Sequence, residues 1–274
     1  MYKLVFTVLV LSALFSCAKW EQPTDIITSG VIKTERIILI DEFTGASCPN
    51  CPAGSTELER IVETYPDNVV VMSIHSKFLA EPVRTSDPDL RTPDAESIEK
   101  FLGNYLGKPE AAFNRRLFPN KSNIRIGRPD TWINYVNEEL QKPVEARLKI
   151  VNDYDESTRE LKISVTATAL INLDFPVYLH VALTESDIHT AQKNSTGIID
   201  DYIHKHALRK LLTPVEGDFW LNSLKKGEIS SRDYKFILPS DNMLWNADQM
   251  DVVAFISLEP SQKVVLQAVE QPVK

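Results

Sequence analysis

The stretch "RIILIDEFTGASCPNCPAG", Arg36 to Gly54, decides the fold. Its first half contains the aliphatic run Ile37 to Ile40, the pattern of a parallel strand buried on both faces. Its second half carries Cys48 and Cys51, the only cysteines in the chain besides Cys17. Beyond them, Leu58, Ile61, Val62 and Tyr65 recur at i, i+3, i+4 and i+7, the spacing of an amphipathic helix. "NVVVMSI", Asn68 to Ile74, then reads as a second buried strand. The cysteine pair is thus predicted at the C-terminal end of a strand and the start of a helix, inside a βαβ unit.

A Cys-x-x-Cys at a helix N-terminus has a definite chemistry. Unpaired backbone N–H groups and the positive end of the helix dipole favour thiolate over thiol. Cys48 is expected to be the exposed, lower-pKa nucleophile, with Pro49 in the first turn. Cys51, one turn further in, is expected to resolve mixed disulfides. Two other readings stay open. The pair could be an inert disulfide in a fold used for binding, or half of a zinc site, which would want four Cys or His ligands. His204 and His206 in "YIHKHALR" would share one face of a strand. They lie far along the chain with no second Cys-x-x-Cys, so they read as surface histidines without metal. His75, at the end of the second strand and near the cysteine end of the sheet, could help lower the Cys48 pKa, though it reads first as a hydrogen-bonded strand-end histidine.

Working outward, a polar stretch from Ser76 to Pro93 is long for a strand-to-helix connection. Thr92-Pro93 resembles an N-cap followed by proline at N1, and Ile98, Phe101, Leu102 and Tyr105 mark the helix after it. "GKPEAAFNRRLF" turns at Gly107 and Pro109 and continues as a strand. A third helix begins near Pro129, with Trp132, Ile133, Val136 and Leu140 on one face. Beyond Pro143 the period changes. "ELKISVTATAL", "PVYLHVAL", "YKFILP", "DVVAFISL" and "KVVLQAV" are short alternating strands, the signature of an antiparallel sandwich.

At the other end, Lys3 precedes an apolar run from Leu4 to Phe15, broken only by Thr7 and Ser12. As a helix that run rises roughly 18 Å, short of the ~30 Å hydrocarbon core, so it reads as a signal peptide. Leu14-Phe15-Ser16-Cys17 resembles a bacterial lipobox, which makes Cys17 the predicted lipid site and the lipid the membrane anchor. The predicted organisation is a lipoprotein signal over 1–17, a tether over 18–34, an α/β domain over 35–142 and an all-β domain over 143–274. With 38 acidic residues against 30 basic ones and a net charge of −8, the chain argues against nucleic-acid partners. It has no nucleotide-binding glycine loop and no serine elbow, so no cofactor is expected.

The order strand, Cys-x-x-Cys, helix, strand, helix, Gly-x-Pro, strand resembles the thioredoxin superfamily over roughly residues 35 to 142. The resemblance puts Cys48 and Cys51 on the redox pair. It puts Glu42 on a buried acid that moves protons for the resolving thiol. Pro109 falls on a cis-proline that packs against the disulfide and receives the substrate strand. Ser47 and Pro49-Asn50 depart from the usual residues at positions that tune redox potential, so the direction of exchange is not read. "EFTGASCPNCP", "DDYIHKHALR" and "DVVAFISLEPSQKVVLQAVE" together resemble a Bacteroidota lipoprotein family named for a twenty-eight-kilodalton outer membrane protein. That resemblance implies a lipobox, a thioredoxin-like domain and a C-terminal, Ig-like β-sandwich at the outer membrane, with suggestions of adhesion or receptor function. His206 and Arg209 fall in the second of those stretches without an assigned role. The expectations are therefore a lipid-anchored envelope protein exchanging disulfides with envelope or extracellular proteins, or a non-enzymatic adhesin or receptor with a structural disulfide.

Overall fold

A computed structural model describes residues 34–103, 106–241 and 243–274. Cys17, the signal peptide and all but the last residue of the tether lie outside them. The first part of the chain runs β1 (Ile38–Thr44), α1 (Cys51–Thr64), β2 (Val69–His75), α2 (Pro93–Leu102), β3 (Glu110–Phe113) and α3 (Trp132–Leu140). The aliphatic runs pair as parallel strands, with Ile38 opposite Val69 and Thr44 opposite His75. Thr92 caps α2 as expected, its side-chain oxygen accepting from Ala95 N at 3.0 Å. The third strand antiparallel to β1 is short, and an isolated antiparallel bridge joins Ala111 to Ile126.

Ten further strands follow: β4 (Ala146–Asp155), β5 (Glu160–Ala169), β6 (Val177–Glu185), β7 (Ile188–Asn194) and β8 (Gly197–His204). Then come β9 (Ala207–Leu211), β10 (Asp218–Leu221), β11 (Ile229–Ile237), β12 (Met250–Ser257) and β13 (Val265–Pro272). They do not close into a sheet system of their own. An eight-stranded mixed sheet runs β13-β12-β6-β9-β2-β1-β3, with β10 paired to β6, so hydrogen bonding crosses residue 143 without a break. The described residues form one compact unit.

Alternation places the cores. Ile38 and Ile40 of β1 face α1 and α3 around Trp132, while Leu39 and Phe43 face α2 together with Val253 and Phe255 of β12. On the far side, the three-stranded sheet β11-β5-β4 lays Leu161, Ile163 and Val165 against Val181, Leu183 and Val252 of the large sheet. β7 and β8 make a two-stranded hairpin outside both sheets.

Candidate functional site

The turn between β1 and α1 is built on Gly45. A Cβ at that position would collide with the Leu79 carbonyl oxygen, so only glycine lets the two chains approach. Cys48 N then donates to Gly45 O at 3.0 Å, and Cys51 N donates to Cys48 O at 3.3 Å. The helix starts at Cys51, with Pro52 rather than Pro49 in its first turn. Cys48 and Cys51 form a disulfide with 5.4 Å between their Cα atoms. The expected exposed nucleophile is not found: Cys48 is 0% exposed and Cys51 1%.

Two covers bury them. On one side the segment after β2 holds the loop, with Ser47 N donating to Leu79 O at 3.1 Å and Ser47 Oγ to Glu81 O at 2.9 Å. On the other lies β7. Gln192 Nε2 reaches Cys48 O at 3.0 Å and Gly45 O at 3.2 Å, and Lys193 N donates to Ala46 O at 2.8 Å. Sequence reasoning missed Gln192. A single polar residue in "HTAQKN" carries no local sign of a partner so distant in the chain.

Glu42 lies buried on the α1 face of β1, beside Ser73 of β2. Ser73 Oγ donates to Oε2 at 2.7 Å, and Ser55 Oγ lies 3.5 Å from both Oε1 and Cys51 O. Burial raises the Glu42 pKa to about 7, against the pull of these hydroxyls and of Lys108. Ser55 thus bridges the acid and the turn that holds Cys51.

The Lys108-Pro109 bond is cis. The Pro109 ring packs against α1 at Gly54, where a Cβ would meet Pro109 Cβ at 2.8 Å and the Trp132 ring at 3.1 Å. Lys108 turns inward, and its Nζ donates to Ser76 Oγ at 2.9 Å and to Phe78 O at 2.8 Å, pinning the first cover. Burial lowers its pKa to about 8.

A cavity of about 140 Å³ lies between α1 and β8, lined by Glu42, Ser73, His75, Gln192, Tyr202 and His204, among others. The histidines here depart from expectation. His204 is buried rather than a surface residue, and its ring lies 5.6 Å from that of His75 and 4.9 Å from that of Tyr202. His206 sits between β8 and β9 with φ 55 and lines the same cavity. Neither ring nitrogen of His75, nor Nε2 of His204, nor Nδ1 of His206 has a hydrogen-bond partner among the described residues. Burial holds the pKa of His204 and His206 at about 4, and that of His75 well below its ordinary value, with His204 and Lys108 adding to the shift. His75 is therefore neutral and supplies no positive charge to Cys48. Arg209 is buried with its Nε 4.0 Å from Glu185. Among the described residues no three or more His, Cys, Asp or Glu are arranged to hold a metal ion. No helix among them is long and apolar enough to cross a membrane.

Comparison with known proteins bears on the fold and the family. HBP35 of Porphyromonas gingivalis has a similar fold, with a TM-score of 0.69 at 17% identity over 88% of this chain and 76% of that one. A structural-genomics protein from Agrobacterium tumefaciens matches with a TM-score of 0.50 at 12% identity, over 88% of this chain and 97% of that one. No curated protein sequence matches. The family model described as outer membrane protein Omp28 matches residues 100–274, from α2 to the C-terminal strand. By that match over more than half its length, the chain belongs to the Omp28 family of outer membrane proteins.

Proposed function

We propose that this is a lipid-anchored envelope protein whose thioredoxin-like part exchanges thiols and disulfides with client proteins, and whose later strands form the sandwich of the family. The carrying observation is the Cys48–Cys51 disulfide at the β1–α1 junction, with Glu42 buried beside the Cys51 turn at a pKa of about 7. The strand order β2-β1-β3, with β3 antiparallel to β1, supports the thioredoxin-like reading.

In the reducing direction, the Cys48 thiolate attacks one sulfur of a client disulfide. A Cys48–client bond forms while the client's other sulfur leaves and takes a proton. Glu42 accepts the Cys51 proton, and Cys51 attacks Cys48, releasing the client's first sulfur. The client gains two electrons and the pair loses two, becoming the disulfide present here. Run backward, a client dithiol is oxidised and the pair reduced. A group with a pKa near 7 both accepts and returns that proton at neutral pH.

The roles of the two sulfurs set the test. Cys51→Ser removes the resolving thiol and should accumulate clients on Cys48, released by reductant, when expressed in its own cell envelope. Cys48→Ser should trap far fewer. Equal trapping by both would overturn the assignment. The burial of both sulfurs favours a second reading, a binding protein with a structural disulfide. Absence of trapping by either variant, with loss of stability in both, would favour it. The proposed lipid on Cys17 is tested by the intact mass of the mature protein; an unmodified chain starting elsewhere would remove it.

A further inference from the structure

The cover over the cysteine loop is a hairpin apart from both large sheets. β7 and β8 pair in a sheet of their own. The hairpin is flanked at both ends by non-glycine residues in the left-handed region, Asp187 at φ 55 and His206 at φ 55. Such backbone is disfavoured for L-residues, and element-terminal positions of this kind absorb hinge rotation. Within the hairpin the register shifts: Thr190 pairs with Tyr202 but Gln192 with Ile199, so β8 carries an extra residue. A bulge of this kind re-aims side chains, and here the buried Gln192 amide reaches the carbonyls of Gly45 and Cys48.

The hold on the loop has a recognisable chemistry. One main-chain N–H, from Lys193, meets one main-chain carbonyl, that of Ala46, and a side-chain amide meets two more. Any extended polypeptide could supply the first contact, which needs no particular side chain. Beneath β8 lies the cavity, where Nε2 of His204 has no hydrogen-bond partner among the described residues and Tyr202 reaches across to Ser55 of α1. At its outer face the hairpin is fastened by exposed ion pairs, Asp200 with Arg84 of the first cover and Lys205 with Glu59 of α1. Exposed pairs of this kind contribute little.

We propose that the β7–β8 hairpin is a hinged arm that occupies the client-binding edge of the cysteine loop, and that an extended, unfolded polypeptide segment is the partner that displaces it. The inference rests on the exchange reading above and adds the partner's form. Folded clients without a free extended segment cannot compete with Lys193 for the Ala46 carbonyl. Unfolded chains can, and in doing so they uncover Cys48.

Two variants and one probe test it. In Gln192→Ala, reduction of the Cys48–Cys51 bond by dithiothreitol should be about 10-fold faster, with the Lys193 amide exchanging hydrogen faster in parallel. In Asp200→Asn, which lies on the exposed face away from the loop, both should rise about 2- to 5-fold. In the wild-type protein, S-carboxymethylated insulin B chain, unfolded and without thiols, should accelerate exchange at Lys193 but not in the core of β12. Unchanged reduction and unchanged Lys193 exchange in both variants would overturn the arm. No response to the B chain would overturn the partner. Faster exchange with no trapping by Cys51→Ser would leave the arm standing and remove the exchange reading. Trapping without any change at Lys193 would do the reverse.

Discussion

Glu42 is the residue on which chemistry and stability meet. Its pKa is about 7 in the fold and near 4.5 when exposed, so the folded protein holds a proton that the unfolded chain gives up. The sign follows: its favourable contribution is complete below about pH 4.5 and is lost as pH rises through 7. The loss amounts to about 3 kcal/mol at most. Glu42→Gln should therefore be more stable than wild type at pH 8 by about 1–3 kcal/mol, with little difference at pH 5, in urea unfolding at the two pH values. The same variant should lower the exchange rate about 10- to 100-fold and remove its inflection near pH 7. The structure finds Glu42 buried beside Ser73, and its place six residues before the first cysteine was legible through the thioredoxin-like resemblance. The burial of Cys48 was not, because it depends on Leu79, Glu81, Gln192 and Lys193, whose contacts with the loop no local pattern encodes.

At the scale of elements, α1 and its neighbours show how a small residue fixes a site. Gly54 on a helix would ordinarily gain about 1 kcal/mol on replacement by alanine. Here the added methyl meets Pro109 and Trp132, so Gly54→Ala should instead destabilise by about 1–3 kcal/mol. A thermal unfolding shift of several degrees downward checks this; a rise would place Pro109 elsewhere. The hairpin carries the opposite pH signature to Glu42. His204 and His206 have folded pKa values of about 4, below the ordinary 6.5, so the unfolded chain takes up protons first on acidification. Stability should fall as pH drops from 6.5 towards 4, by about 3 kcal/mol at most for each. His204→Gln should flatten that slope, measured by unfolding between pH 7 and 4.5. The helices and the parallel pair were legible because their periods are local. The hairpin was not, since "HTAQKNSTGIIDDYIH" mixes polar and apolar residues around a bulge and never settles into a clean alternation.

Across the whole molecule, the change of period at Pro143 is real in the sequence, yet the sheet runs through it. Strand pairing is a choice among distant partners, and period alone does not name them. Asn114 exchanges backbone and side-chain hydrogen bonds with Leu39 and accepts from Val265 N at 2.9 Å. The Arg115 guanidinium pairs with Asp41 and lies 4.7 Å from the Phe255 ring centroid. Cutting the chain there would leave Val253, Phe255 and Ala268 without the face they share with Leu39 and Val70. Fragments 34–142 and 143–274 should each fail to give dispersed amide spectra alone, and should recover them when refolded together. Independent folding of either fragment would contradict the shared core.

The anchoring of β1 also has a mechanical meaning. Arg36 is buried just ahead of it, bonded to Glu139 at 2.9 Å and to the carbonyls of Pro143 and Leu266 at 3.2 Å each. Traction applied to the chain ahead of Thr34 meets the bonds of the Thr34 and Glu35 carbonyls to Asn68 and Gln267, then that guanidinium, which divides the load among α3, the entry to β4 and β13. Beyond it, β1 lies between β2 and β3, so drawing it out shears two ladders at once. The loop bearing Cys48 sits at the far end of that strand, so a tug on the N-terminal segment loads the fold without prising the loop open.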